Sequence, residues 1–161
     1  MKKFLSILVT LTFVFILIGC TNSANIVDTS KGFTVTDSTG AKIAFEKSPN
    51  KIISLLPSDT EIIYALKAQD KVIAVSNLSS YPAEASKKTQ LDSGNKTNIE
   101  SIIGLKPDVI LISKMNQTQA QIKQLQDAGI KVVVTDPQNI ASSYNIINVI
   151  GKICDKDKEA G

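Results

Sequence analysis

Side chains that could hold a small molecule follow four short apolar segments of this sequence. The candidates are Pro57, Ser58, Asp59, Asn77, Tyr81, Lys114, Met115 and Asp136. They offer carboxylates, a hydroxyl, a phenol, an amide, an ammonium group and a thioether, which are groups that bind and orient a ligand. Three of the four positions lead into predicted helix starts, where free backbone N–H groups favour acceptor atoms. The chemistry that this set favours is binding.

A catalytic arrangement is not indicated. The sequence has no His, so the commonest general base and metal ligand are both absent. Ser58 therefore lacks a histidine partner, while Asp59 and Glu61 are explained by a helix start, where the dipole favours carboxylates. The cysteines are Cys20 and Cys154, too few for a zinc ligand set. We predict no catalytic residue, no metal held by protein ligands and no cofactor.

Nucleotides and nucleic acids are poor candidates for the ligand. The first apolar segment runs into residues 56–60, Leu-Pro-Ser-Asp-Thr, which is not a glycine-rich phosphate-binding turn. The formal net charge of +3 falls close to zero when Lys2 and Lys3 are set aside. No basic face with interleaved aromatic residues is present in the sequence, so we predict no nucleic-acid partner.

Alternating strand and helix patterns must position the candidate residues. The apolar segments at 52–56, 72–75, 109–112 and 132–134 are short and rich in β-branched residues, as is typical of strands buried on both faces. With helical patterns between them, they predict an α/β fold: an open, mostly parallel four-stranded sheet with helices on both faces. A β-hairpin at 33–45 precedes it. Ligands of such sheets bind beyond the carboxyl ends of the strands, where the candidates lie.

Local signals predict where the helices begin and end. Ser58 and Glu61 match a capping box at the first helix start. Asn98 and Asn116 are predicted N-caps of the next two helices. Gly129 suits the left-handed position that follows a helix.

The last helical pattern lies between residue 140 and the end of the chain. Ile140, Tyr144, Ile147 and either Val149 or Ile150 are spaced as the apolar face of this helix. Cys154 is expected in or near its last turn, as a small apolar residue.

The N-terminus has the features of an export signal. Lys2 and Lys3 precede an apolar run at 4–18, and Gly19 comes directly before Cys20. The run is shorter than the ~20 residues that a membrane-spanning helix needs. Residues 17–20, Leu-Ile-Gly-Cys, resemble the lipobox of bacterial lipoproteins.

That resemblance implies a signal peptide at 1–19 and a diacylglyceryl group on the thiol of Cys20. The polar stretch 20–31 would then be a lipidated tether, because two acyl chains hold a protein stably at a membrane. The expected location is extracytoplasmic, anchored to the cell membrane.

Four further segments resemble the N-terminal lobe of one family, the iron-siderophore and vitamin B12 solute-binding proteins of ABC transporters. They are KIISLLPSDTE at 51–61, SYPAEA at 80–85, NIESIIGLKPDV at 98–109 and DAGIKV at 127–132. The third is the most specific. Their order, behind a lipobox, covers nearly all of the chain after the tether.

The resemblance implies two α/β lobes joined by a long helix, with the ligand in the cleft between them. Residues 32–154 would form the N-terminal lobe, and 155–161 would begin the interdomain helix. The second lobe is then missing, as in a fragment or a truncated gene product, and this lobe alone should bind ligand poorly. The partners implied are a metal chelate, an ABC permease and its ATPase.

In that family a glutamate on each lobe meets arginines of the permease, and the position that matches in this sequence is Glu100. The ligand could be a ferric siderophore, haem or cobalamin. Leu78 and Gly94 stand near positions where B12 binders have aromatic residues, and Asp59 stands where the family often has Asn. Every basic residue is Lys, so Lys114, not an arginine, would meet an anionic siderophore.

Two alternatives stay open at this point. A surface lipoprotein with a structural or adhesive role would share the lipobox. An enzyme on a related α/β fold would share the sheet, but would need an acid–base or cofactor motif.

Overall fold

The computed structural model describes residues 32–161 of the chain. The predicted signal peptide, the lipidation of Cys20 and the tether lie outside these residues. The strands are β1 (Phe33–Thr36), β2 (Lys42–Phe45), β3 (Ile52–Ser54), β4 (Val72–Ser76), β5 (Thr89–Leu91), β6 (Val109–Ile112) and β7 (Lys131–Val134). The α-helices are α1 (Pro57–Ala65), α2 (Ile99–Leu105), α3 (Gln119–Asp127), α4 (Ile140–Cys154) and α5 (Asp157–Ala160).

The main sheet confirms the predicted fold class and adds one strand to it. Its order is β5-β4-β3-β6-β7, and every pair is parallel. The four predicted strands are β3, β4, β6 and β7. The prediction of four strands missed β5, which has three residues, two of them exposed, and pairs with β4 at the edge of the sheet. An exposed edge strand need not have an apolar segment, so the sequence pattern does not reveal it.

The hairpin formed by β1 and β2 has the predicted bounds and is antiparallel. Asp37 organises its turn, because its Oδ1 accepts hydrogen bonds from the backbone N–H groups of Thr39 (2.8 Å) and Ala41 (3.0 Å). Gly40 completes the turn with a φ of 85°. The turn lies against the end of β7, where the N–H of Ser38 donates to the carbonyl of Val134 at 2.9 Å.

Both faces of the main sheet are buried. On one face, the hairpin, α1 and α4 cover the strands in a cluster that includes Ile63 and Ile150. On the other, α2 and α3 cover them with Ile102, Ile122 and Leu125. Apolar burial on two faces makes the sheet a firm platform for the loops at its carboxyl edge.

The helix starts agree with the sequence only in part. Asn98 caps α2 as predicted, its side chain accepting from the N–H of Ser101 at 3.0 Å. The prediction for Asn116 is wrong, since α3 is capped by Thr118 in a capping box with Gln121. The capping box predicted at Ser58 is also wrong. Pro57 occupies the first position of α1, where its fixed φ favours an early helix start and leaves Ser58 inside the helix.

The helix ends were more predictable. Gly129 follows α3 with a φ of 80°, as expected. Cys154 lies buried in the last turn of α4. Beyond it the chain turns at Asp155 and forms the short helix α5. None of the helices within residues 32–161 is long and apolar enough to cross a membrane.

Candidate functional site

A row of buried hydroxyl groups closes the carboxyl edge of the sheet. Ser54 and Ser76 end β3 and β4, while Ser113 and Thr135 follow β6 and β7. Their exposed fractions are 0%, 0%, 4% and 0% in that order. Single serines and threonines after apolar strands are too common to stand out in a sequence, so only the sheet reveals this row.

These hydroxyls shape the loops that follow the strands. The Oγ of Ser54 donates to the carbonyl of Leu56 at 3.1 Å. The Oγ atoms of Ser76 and Ser113 each accept a backbone N–H two residues further on, both at 3.1 Å. Such hydrogen bonds between a side chain and the nearby backbone compete with the hydrogen bonds between strands, and they set the first turn of each loop. The loops therefore start from defined geometries.

The buried hydroxyl of Thr60 joins α1, β3 and the loop after β4 at this edge. The Oγ1 of Thr60, in α1, donates to the Oγ of Ser54 at 2.9 Å and lies 3.2 Å from the Oγ of Ser79. Thr60 is fully buried, and Ser79 is 1% exposed. This contact ties α1 to β3 and to the loop after β4.

Asp59 is the buried carboxylate of the edge. It is 1% exposed, and its Oδ2 accepts a hydrogen bond from the Oγ1 of Thr135. Burial raises the pKa of this carboxyl from 3.8 to about 7; the bond from Thr135 lowers it, and the neighbouring Asp136 raises it further. Asp59 has almost no free surface, and the ligand contact expected of it from the sequence stays a prediction.

Three of the predicted binding residues come together on the β6–β7 side of the edge. The N–H of Lys114 donates to Asp136 Oδ2 at 2.6 Å, and the N–H of Asp136 donates to the Oγ of Ser38 at 2.9 Å. Lys114, Met115 and Asp136 line a cavity of about 370 Å³, together with Ser38 from the hairpin turn. The hairpin thus forms part of the candidate site, which the sequence did not indicate.

Three other predicted residues, Pro57, Ser58 and Asn77, lie along the same edge on the side of β3 and β4. Pro57 is half-buried and Ser58 is exposed at the start of α1. Asn77 follows β4, and its Nδ2 donates to Asp92 Oδ1 at 2.7 Å. Tyr81, 69% exposed, borders a separate cavity of about 460 Å³ that Tyr64 also lines. The strand order places Pro57, Ser58 and Asn77 along one edge with the Lys114–Asp136 group, whereas Tyr81 lies further along the loop after β4.

Large apolar side chains are exposed in the loops after β4 and β6 and at the start of α4. We define the apolar rim as Leu78, Tyr81, Met115, Ile140 and Tyr144, which are 66%, 69%, 87%, 76% and 65% exposed. The first three lie in the loops after β4 and β6, and the last two in the first turns of α4. The edge therefore has a hydrogen-bonded polar floor and an apolar border, a combination that suits a large ligand with apolar surface.

Ile140 and Tyr144 correct one sequence-based expectation. Their spacing indicated the buried face of the last helix, but that face consists of Ile146, Val149, Ile150 and Ile153. No residue of α4 before Ile146 is buried, so the apolar repeat of the helix continues outside the core.

Glu100, the predicted docking residue, is exposed in the first turn of α2.

Residues 32–161 contain no group of three or more His, Cys, Asp or Glu side chains that could hold a metal ion. The arrangement at the carboxyl edge can therefore contribute hydrogen bonds, one ammonium group, carboxylate and apolar contact to a bound molecule.

Comparison with known proteins gives a consistent family match. The model of a family described as periplasmic binding protein matches residues 52–161. A substrate-binding lipoprotein of an ABC transporter in Bacillus subtilis, itself uncharacterized, is 38% identical over an alignment of 154 residues that covers 89% of this chain and 49% of the relative. A vitamin B12-binding protein of Yersinia pestis is 39% identical over 94 residues, 58% of this chain and 34% of the relative.

A solved structure agrees with these matches. The crystal structure of a possible iron-binding, periplasmic solute-binding protein from Staphylococcus epidermidis superposes with a TM-score of 0.64 and 39% identity, covering 71% of this chain and 45% of that one. The chain spans about half the length, or less, of each of these three relatives.

Proposed function

The chain belongs to the periplasmic binding protein family, and we propose that it forms the N-terminal lobe of an extracytoplasmic receptor that delivers a metal chelate to an ABC importer. The observation that carries this proposal is the carboxyl edge of the sheet, where a hydrogen-bonded polar floor lies beneath the apolar rim. A ligand on this edge would contact the ends of several strands at once, as ligands of open α/β sheets do.

The composition of the edge supports a large, partly apolar ligand. Tyr81 and Met115 expose an aromatic ring and a thioether that can pack on a flat macrocycle. Ser58, Asn77 and Asp136 supply polar contacts between them, Pro57 supplies an apolar ring, and Lys114 supplies a positive charge. The names of two relatives, a vitamin B12-binding and a possible iron-binding protein, support a metal chelate as the class of ligand.

The chelate is the cargo of the receptor, so no cofactor is assigned. The names of the relatives describe binding proteins and not enzymes, which fits the lack of a catalytic pattern in the sequence.

Attachment to the membrane belongs to the same proposal. Cys20 carries the lipid and residues 20–31 tether the lobe to the outer surface of the cell membrane. The lipobox-like sequence at 17–20 supports this, as does the name lipoprotein given to the Bacillus subtilis relative.

Delivery requires contact with the permease and its ATPase. Glu100 is the residue of this lobe that meets the permease, through an ion pair with a cation. A single exposed ion pair contributes only about 0–1 kcal/mol, so its role is to orient the receptor more than to hold it.

The test is calorimetric titration of the full-length protein with three probes: cyanocobalamin, haem and a ferric hydroxamate siderophore. One of them should bind saturably, and Lys114→Ala or Tyr81→Ala should weaken its binding by about ten-fold, the effect of losing one well-placed contact. Lys47→Ala is the matched control, because Lys47 is exposed in the loop before β3, at the opposite edge. Absence of binding by all three probes would refute the metal-chelate proposal.

A further inference from the structure

The segment that follows β5 runs along the carboxyl edge of the sheet. We call residues 92–97 the strap. It is held beside β4, where the Oγ of Ser76 donates to the Oγ of Ser93 at 3.2 Å, and it reaches the loop after β6. In the order β5-β4-β3-β6-β7 these two strands are three strand spacings apart, which is about 14 Å. The strap therefore passes the ends of β4 and β3.

Gln117 joins the strap to the loop after β6. In the amide orientation that satisfies both of its groups, Nε2 donates to the carbonyl of Ser113 at 2.9 Å and Oε1 accepts the N–H of Gly94 at 3.2 Å. The strap is closed on itself at the same point, because the Oγ1 of Thr97 donates to the carbonyl of Gly94 at 2.6 Å. Gln117 is 4% exposed and Thr97 is 7% exposed. This junction is shielded from water, where a missing hydrogen bond is costly.

The backbone on each side of the junction is set by local geometry. Gly94 has a φ of 84°, a left-handed conformation that glycine adopts without strain. Thr118 caps α3 in a capping box with Gln121, which fixes the chain directly after Gln117. The amide therefore bridges two segments that already have defined conformations.

The loop that Gln117 holds carries two of the predicted binding residues, Lys114 and Met115. On the β7 side this loop is tied to Asp136, which accepts a hydrogen bond from the N–H of Lys114. Gln117 ties the same loop to the strap, which comes from the side of β5 and β4. The two halves of the candidate site are connected through this amide.

We propose that Gln117 is a positioning residue of the ligand site, whose buried amide fixes the loop of Lys114 and Met115 against the strap so that the two segments form one binding surface. This inference rests on the proposed function and adds to it a residue that acts through its neighbours. A loop that is already held in place loses less conformational freedom when a ligand binds, and binding is stronger for that reason.

Calorimetric titration of the full-length protein with cyanocobalamin, haem and a ferric hydroxamate siderophore, at pH 5 and pH 8, tests this role. Gln117→Glu keeps the size of the side chain. At pH 8 its ionised carboxylate cannot donate to the carbonyl of Ser113, so the probe that binds should bind about ten-fold more weakly than to the wild type, the equivalent of one hydrogen bond. At pH 5 burial keeps the carboxyl protonated, both hydrogen bonds can form, and the difference from the wild type should disappear.

Two more variants and a second measurement complete the experiment. Gln117→Leu can make neither bond and should bind about ten-fold more weakly at both pH values. Gln124→Glu, at an exposed position of α3, is the matched control and should bind as the wild type does. Hydrogen exchange of the Gly94 amide reports on the strap itself and should be faster in Gln117→Leu. Should that variant not fold, the two pH values of Gln117→Glu decide.

The outcomes separate the inference from the proposed function. Faster exchange at Gly94 with unchanged ligand affinity would show that Gln117 only stabilises the fold, and the inference would be wrong. A loss of affinity in Gln117→Glu that is the same at pH 5 as at pH 8 would also overturn it, because the hydrogen bonds would not be the cause. If the wild type binds none of the three probes, the proposed function itself fails.

Discussion

Asn in place of Asp59 should remove from the stability of this protein a contribution that decreases between about pH 4 and pH 7. The substitution keeps the size of the side chain and an oxygen that can accept the hydrogen bond from Thr135. It removes the negative charge, which burial disfavours because the group is only 1% exposed. The predicted effect is therefore electrostatic and not a loss of packing.

The magnitude follows from the pKa of the carboxyl in the folded protein. That pKa is about 7, against 3.8 for an ordinary aspartate carboxyl. Each factor of ten between the folded and unfolded ionisation constants is equivalent to about 1.4 kcal/mol, so the full difference amounts to about 4 kcal/mol.

The direction of the effect depends on which state binds more protons. Between pH 3.8 and about 7 the folded protein holds the Asp59 proton and the unfolded chain releases it. The contribution of the protonated Asp59 carboxyl to the free energy of unfolding is complete below pH 3.8. It decreases as the pH rises through this range and is lost above about pH 7. The Asp59→Asn variant should match the wild type near pH 4 and exceed it by up to about 4 kcal/mol near pH 8.

Urea denaturation of the full-length wild type and variant at a series of pH values measures this difference. Asp70→Asn, at an exposed position, is the control and should leave the pH dependence of the free energy of unfolding unchanged. The reasoning would be refuted if Asp59→Asn had the wild-type slope between pH 4 and 7, or if it were less stable than the wild type at pH 8. Either result would mean that the bond from Thr135 outweighs the effect of burial.

Three other predictions test the fold and the environment of single residues. Thr118→Ala should lower the free energy of unfolding by about 1 kcal/mol through loss of the α3 cap, whereas Asn116→Ala should have almost no effect; denaturation curves of the two variants would decide which residue is the cap. Leu125→Ala should cost about 2–5 kcal/mol, because Leu125 is fully buried under the sheet, and equal stability of variant and wild type would contradict this core. Burial raises the pKa of the Cys154 thiol to about 11, so iodoacetamide at pH 8 should label Cys154 only after unfolding; rapid labelling of the native protein, followed by mass spectrometry, would contradict its burial.

Much of the fold could be predicted from the sequence, because its signals are local. The hairpin needs only two short strands around a turn, and its predicted bounds agree with β1 and β2. The four buried strands stand out as β-branched segments, since a strand covered on both faces has to be apolar along its whole length. Their alternation with helices is enough to predict a parallel sheet and to place its carboxyl edge.

Predictions about where the core ends were less accurate. The helical repeat of α4 continues through Ile140 and Tyr144 although these side chains are exposed. Periodicity indicates which side of a helix is apolar. Whether that side is buried depends on which other elements pack against it. The edge strand β5 was missed for the related reason that half-exposed residues have no distinctive pattern.

The arrangement of the candidate site was decided by the tertiary structure. The residues at the ends of strands could be identified one by one, but their neighbours depend on the order β5-β4-β3-β6-β7. That order brings Asp59 into contact with Thr135, 76 residues further along the chain, and places the hairpin turn beside Asp136. The sequence by itself determines which segments are apolar enough to be buried, because burial follows from composition. Which buried and exposed groups then meet depends on packing the whole chain at once, since both faces of the sheet have to be covered.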